Sequence, residues 1–228
     1  MAATHPHTRI LVLGASGKTG RILVSEALQQ GLSVTVLVRN VESFEPRQGL
    51  TVVEGTPLNM ADLEKAMRAT KDRPVALVST LGQTRKSGNP WSAPTSPPRF
   101  MADAIKNAIA VAKKFSIQKL IVMSMFGVGD SFKNLNIVMR GIMNYSNMAQ
   151  TVEDHDLVDK LVKESGLNFV LVRPAMLKDG GDGPVKDLGD RGEKASFMPS
   201  ISSKAVVSVL LEAAEMPNWD RRTPVLSL

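Results

Sequence analysis

The sequence predicts an α/β fold: a doubly wound parallel sheet formed as a single domain. Three observations carry that expectation. Short apolar, β-branched runs alternate with stretches of helical periodicity along the chain, no repeat or linker divides it, and 228 residues suffice for one well-buried core. Such alternation requires right-handed crossovers, which place helices on both faces of the sheet.

The elements follow in order. After a polar start, "MAATHPHT", read as a flexible tail over 1–8, the domain runs from 9 to 228. Ile10 to Leu13 is continuously apolar and gives the first strand, while Ile22, Leu23, Ala27 and Leu28 recur at helical spacing and give a helix over 18–30. Further strands are expected at 33–38, 51–54, 75–80, 119–124 and 168–173, with helices over 59–69, 99–115, 147–165 and 203–215. Two irregular stretches, 81–98 and 177–196, follow strand C-terminal ends, where ligands enter open α/β sheets. They are expected to close over a substrate.

Composition excludes several classes. No apolar run approaches the roughly 20 residues of a membrane helix, and the start lacks the regions of a secretory signal, so a cytoplasmic protein without membrane contact is expected. The absence of cysteine excludes disulfides and thiolate chemistry, and three histidines, two of them in the tail, leave no metal site to expect. The 28 Lys and Arg against 22 Asp and Glu would suit an anionic partner. They are scattered, however, and aromatics are only 4%, so no nucleic acid is expected; a small-molecule substrate and a monomer or weak homodimer are.

Gly14, Gly17 and Gly20 stand where the first strand turns into the first helix. Gly14 permits the tight turn, Gly17 lets a pyrophosphate approach the main chain, and Gly20 lets the helix pack closely on the strand. Unpaired amides and the helix dipole at Lys18, Thr19 and Gly20 then attract phosphate. At the end of the second strand, where an acid would hold a ribose diol, the chain has Arg39 and no carboxylate until Glu42. A guanidinium there suits a 2′-phosphate, which favours NADP(H) over NAD(H); the alternative is a solvated strand-end residue.

The segments "GASGKTGR", "VTVLVRN", "KLIVMSM" and "EDHDLVDKLVKESGLNFVLVRPAML" make the chain resemble the atypical short-chain dehydrogenases with NmrA-like NAD(P)-binding domains, most closely the biliverdin reductase B, or flavin reductase, type. The resemblance implies a Rossmann fold binding NADPH, with Gly14, Ser16, Gly17, Thr19, Gly20 and Arg39 at the phosphates. It also implies that Ser79, Thr80, Leu81 and Gly82 pass near the pyrophosphate and nicotinamide ribose. Ser124 would sit beside the nicotinamide, with Pro174 of the Arg-Pro pair also at the cofactor. Members of this type usually carry Gly-Asp after the third strand, near adenine. This chain reads Gly55-Thr56, which leaves Thr56 and Leu58 as substitutes.

The broader superfamily uses Tyr-x-x-x-Lys as its acid. Tyr145 is the only tyrosine here, and four residues on stands Ala149. The positions matching the pair are Thr151 and His155, so the candidate catalytic residues are Ser124, His155, Tyr145 and Thr151. His155 could bond a ribose or substrate carboxylate, or be a satisfied core histidine; Thr151 is a poor acid. Without a tuned acid, a reductase suits acceptors that spread the charge of an added hydride: flavin, quinone, tetrapyrrole or aromatic polyketide types. Methionines 123, 125, 139, 143, 148 and 176 cluster after the fifth and sixth strands and would adapt to a flat ligand or simply fill the core. An NADPH-dependent reductase is the expected function. The alternatives are a cyclase or isomerase on the same fold and a catalytically silent NADP(H) sensor.

Overall fold

The computed structural model describes residues 8–181 and 183–228, so all of the expected tail except Thr8 lies outside the described residues. The first half of the chain runs β1 (Arg9–Leu13), α1 (Lys18–Gln29), β2 (Ser33–Val38), β3 (Leu50–Glu54), α2 (Met60–Arg68), β4 (Ala76–Ser79) and α3 (Phe100–Lys114). It continues through β5 (Lys119–Met123), α4 (Ile137–Tyr145), α5 (Ala149–Glu164), β6 (Phe169–Pro174), β7 (Met176–Lys178), β8 (Lys186–Asp187), β9 (Ser200–Ser202), α6 (Ser203–Glu215) and β10 (Val225–Ser227).

The main sheet has the order β3-β2-β1-β4-β5-β6-β10-β8, and only β8 runs antiparallel to its neighbour. In the central strand β1, Val12 pairs with Val36 on one side and Val78 on the other. Alternation along each strand then divides the core in two. Ile10, Val12, Val170 and Val172 pack with Leu23 of α1 and Val206 and Leu210 of α6. Leu11, Leu13, Phe169 and Leu171 pack on the opposite face with Leu63 of α2, Ile105 of α3 and Val158 of α5. This is the doubly wound single domain that the sequence pattern predicts.

Three local expectations need correction. The helix expected over 147–165 begins at Ala149 and is preceded by a separate helix, α4, that the periodicity did not reveal. The stretch 177–196, expected to be irregular, holds most of β7 and all of β8. The sheet also extends past the sixth strand, because β10 pairs in parallel with the end of β6.

An ion cluster around one buried arginine fixes α5 against the sheet. Arg173 of β6 is fully buried, and its guanidinium pairs with Asp159 of α5 and, at 2.7 Å, with Asp130. It also donates to the Asp190 carbonyl at 2.8 Å. A buried cation left without these partners would be strongly destabilising, so the cluster holds β6 and α5 in one relative position.

Candidate functional site

A cavity of about 530 Å³ opens at the C-terminal edge of the sheet. It extends from Gly17, Lys18 and Thr19 along Thr80 to Thr84, passes Ser124, His155 and Pro174, and widens into a chamber lined by side chains that include all six of the methionines singled out above.

The glycine turn has three distinct requirements. Gly14 takes a left-handed φ of +80°, and a Cβ there would lie 2.8 Å from the Leu81 nitrogen. A Cβ on Gly20 would overlap the Gly14 carbonyl oxygen, so this residue sets how closely α1 packs on β1. Gly17 differs: a Cβ there would meet only the Gly14 oxygen, at 3.3 Å, and otherwise open space. No side chain caps α1 at Gly17 and no acid stands in its first turn, which leaves the positive end of the helix to an external anion. A pyrophosphate fits this cradle, because a side chain at Gly17 would fill the space it needs.

The neighbouring strand end is tied to this turn. The Thr80 hydroxyl donates to the carbonyls of Leu13 and Gly14, both at 3.2 Å, and the Ser79 hydroxyl accepts from the Leu81 amide at 3.4 Å. Ser79 is buried and shapes the turn, while Thr80, Leu81 and Gly82 line the cavity. Ser16 is exposed and outside the lining; its carbonyl accepts from Arg21 Nε at 3.1 Å. Lys18 forms an ion pair with Asp179 of the 177–196 stretch. Arg39 is exposed at the end of β2, and among the described residues its guanidinium has no partner.

Thr56 and Leu58 lie outside the cavity, in a braced turn. The Thr56 amide donates to Asp62 Oδ2 at 2.9 Å, its hydroxyl accepts from the Leu58 amide at 3.3 Å, and the Leu58 carbonyl accepts from Asn107 at 3.0 Å. Asp62, in the first turn of α2, therefore brings a carboxylate to the Gly55-Thr56 corner, a placement that inspection of residue 56 alone misses.

Two of the four candidate catalytic residues meet in the cavity. Ser124 and His155 are both buried, with Ser124 Oγ 3.3 Å from His155 Nδ1. Burial pulls the His155 pKa down to about 4, against an opposing pull from the Asp154 charge, so the ring is neutral near pH 7. Asp154 accepts from the amides of Met101 (3.0 Å) and Ala102 (2.9 Å) at the start of α3, and from Gln83 Nε2 at 3.2 Å.

The other two do not reach it. Tyr145 is 86% exposed at the end of α4, on a helix whose other face supplies the lining. Thr151 is buried, but its hydroxyl donates to Gln83 Oε1 at 3.1 Å and accepts from Arg85 at 2.6 Å. It braces the 81–98 stretch. Neither residue lines the cavity.

Gln83, Asn134, Asn136, Phe197 and Met198 line the cavity without having been anticipated. For Gln83 a signal existed, since it stands in the stretch expected to close over a substrate. The other four arrive through tertiary placement, for example by the Asn136 amide donating to the Phe197 carbonyl.

A family model for NAD(P)H-binding proteins matches residues 14–217. The chain belongs to this NAD(P)H-binding family. Relatives cover most of its length. One, an uncharacterized chloroplastic protein of Arabidopsis thaliana, is 27% identical over 214 residues, 90% of this chain and 71% of that protein. A UPF0659 protein of Saccharomyces cerevisiae is 24% identical over 223 residues, 92% and 88% of the two chains.

Solved structures of similar fold include ChuY, an anaerobilin reductase of Escherichia coli O157:H7, with a TM-score of 0.77 at 21% identity over 96% of this chain and 97% of that one. A short-chain dehydrogenase/reductase of Veillonella parvula in complex with NADP gives 0.75 at 18% identity over 97% and 94%. The family and the fold agree with the resemblance read from the sequence. Among the described residues, no helix is long and apolar enough to cross a membrane.

Proposed function

We propose that this chain is an NADPH-dependent reductase of a flat, conjugated small molecule. The observation that carries the reading is one cavity that joins the glycine turn to the Ser124–His155 pair and an apolar chamber beyond it. NADP(H), when bound, supplies the hydride. Gly17, Lys18 and Thr19 would hold its pyrophosphate, and Arg39, exposed and unpartnered among the described residues, would take the 2′-phosphate.

The chain's own contribution is position and desolvation rather than a tuned acid. His155 is neutral near pH 7 and serves with Ser124 as a hydrogen-bonding pair. Tyr145 is too exposed to act in the cavity, and the Thr151 hydroxyl is committed to Gln83 and Arg85. An isolated ketone would form a localised alkoxide with no acid aimed at it, whereas a conjugated acceptor spreads the charge until solvent protonates it. A cytosolic monomer or weak dimer belongs to the same proposal, checked by fractionation and sedimentation.

NADPH oxidation by the full chain against flavins, quinones, linear tetrapyrroles and simple ketones tests the reading. Turnover of the conjugated classes in preference to ketones supports it. Ketone turnover alone would assign a ketoreductase, and no turnover with NADPH bound would favour a sensor.

A further inference from the structure

Resting on the reductase reading above, we propose that the acceptor is uncharged: a flat conjugated carbonyl compound of the quinone kind, without phosphate or carboxylate. The chamber's chemistry supports this. Its walls include the thioethers of Met139, Met143, Met148 and Met198 and the ring of Phe197, surfaces that adapt to a flat apolar face.

Among the described residues, no counter-charge lines that space. Among the described lining residues only Lys18 is charged, and it stands at the glycine turn, paired with Asp179. The nearby arginines are committed elsewhere. Arg85 donates to the Thr151 hydroxyl at 2.6 Å, and Arg140 of α4 donates to the main-chain carbonyls of Leu135, at 2.9 Å, and Lys133. Arg173 is fully buried among Asp159, Asp130 and the Asp190 carbonyl. His155 is neutral, and the amide groups of Asn134 and Asn136 donate to the carbonyls of Arg191 and Phe197. A carboxylate or phosphate entering the chamber would lose its water and gain no cation in exchange.

The reaction balances for a quinone. The acceptor takes a hydride from NADPH and one proton from solvent, giving the hydroquinone and NADP+. No charge needs a permanent partner in the chamber at any stage of binding.

Matched pairs test the inference. Riboflavin and its 5′-phosphate share one ring system, as do a linear tetrapyrrole dimethyl ester and its diacid; 1,4-naphthoquinone is the neutral reference. Equilibrium dialysis against the full chain with NADP+ present reads binding, and absorbance at 340 nm reads NADPH oxidation. The neutral member of each pair should bind at least tenfold more tightly, and naphthoquinone should bind. Met198→Arg, at a site 55% exposed and tolerant of a longer side chain, should narrow each gap severalfold by adding a cation at the chamber. Equal or tighter binding of the charged members, or no binding of naphthoquinone, would overturn the inference. Neutral members bound more tightly with no NADPH consumed would uphold it and overturn the reductase reading instead.

Discussion

Ser124 Oγ lies 3.3 Å from His155 Nδ1, joining the end of β5 to α5 across the middle of the cavity. Both side chains are buried, and both line the cavity. A neutral imidazole has one donor and one acceptor nitrogen, and the serine hydroxyl can serve either, so the second ring nitrogen takes the role opposite to the one Nδ1 plays in this contact.

The first prediction follows from that burial. Folding lowers the His155 pKa from 6.5 to about 4, so between these values the unfolded chain binds more protons than the folded one. Stability therefore rises with pH across this window and is lost as pH falls toward 4, by about 2–4 kcal/mol. Above pH 6.5 the contribution is flat. Urea unfolding from pH 4.5 to 7.5 should show the slope in the native chain and a shallower one in His155→Gln.

The second concerns cofactor choice. Arg39 is exposed and has no partner among the described residues, so removing it should leave the fold unchanged. Arg39→Ala should weaken NADPH binding about tenfold or more and leave NADH binding nearly unaltered. Fluorescence titration with both cofactors checks this; equal affinities in the native chain would remove Arg39 from the site.

The third separates two glycines. Gly17→Val should bind NADPH at least tenfold more weakly while Tm shifts by only a few degrees, because the new side chain enters the cavity. Gly20→Val should instead unfold at markedly lower temperature, since even a Cβ overlaps the Gly14 oxygen. Thermal melts beside cofactor titrations distinguish them.

The fourth addresses residues outside the cavity. Tyr145→Phe should leave kcat within about twofold, because the phenol is at the surface. Thr151→Val should keep kcat within about tenfold, whereas loss of a positioned acid typically costs about 10²–10⁴. It should lower stability by about 1–3 kcal/mol, as Arg85 and Gln83 lose their shared partner. Steady-state rates with a saturating quinone and urea unfolding give the two readouts.

The six strands from β1 to β6 were legible because each is a short run rich in apolar or β-branched residues bounded by turn residues, and the glycine turn was legible because its spacing follows from backbone geometry. Helix α4 was not. It is only nine residues long, and it exposes Ile137, Val138 and Tyr145 while burying Met143, so its apolar residues do not mark which side packs inward. Strands β7 to β10 are two or three residues long, and pairing with distant segments defines them rather than local propensity. The site divides the same way. Ser124 was implied by the family resemblance and His155 by its match to the second position of the superfamily's tyrosine–lysine pair, and both line the cavity, but Phe197 and Met198 reach it only through contacts made after the chain has folded back. Tyr145 misled as the lone tyrosine, because residue type carries no information on which face of a helix it occupies.

The most direct measurement is the fate of the transferred hydrogen. NADPH deuterated at C4 of the nicotinamide, mixed anaerobically with the full chain and riboflavin or 1,4-naphthoquinone, should be consumed in step with reduction of the acceptor, one equivalent for one, with a rate that falls on deuteration. Acceptor altered while NADPH remains intact would indicate a cyclase or isomerase, and NADPH bound but never consumed would indicate a sensor; either result would contradict the reductase assigned to this cavity.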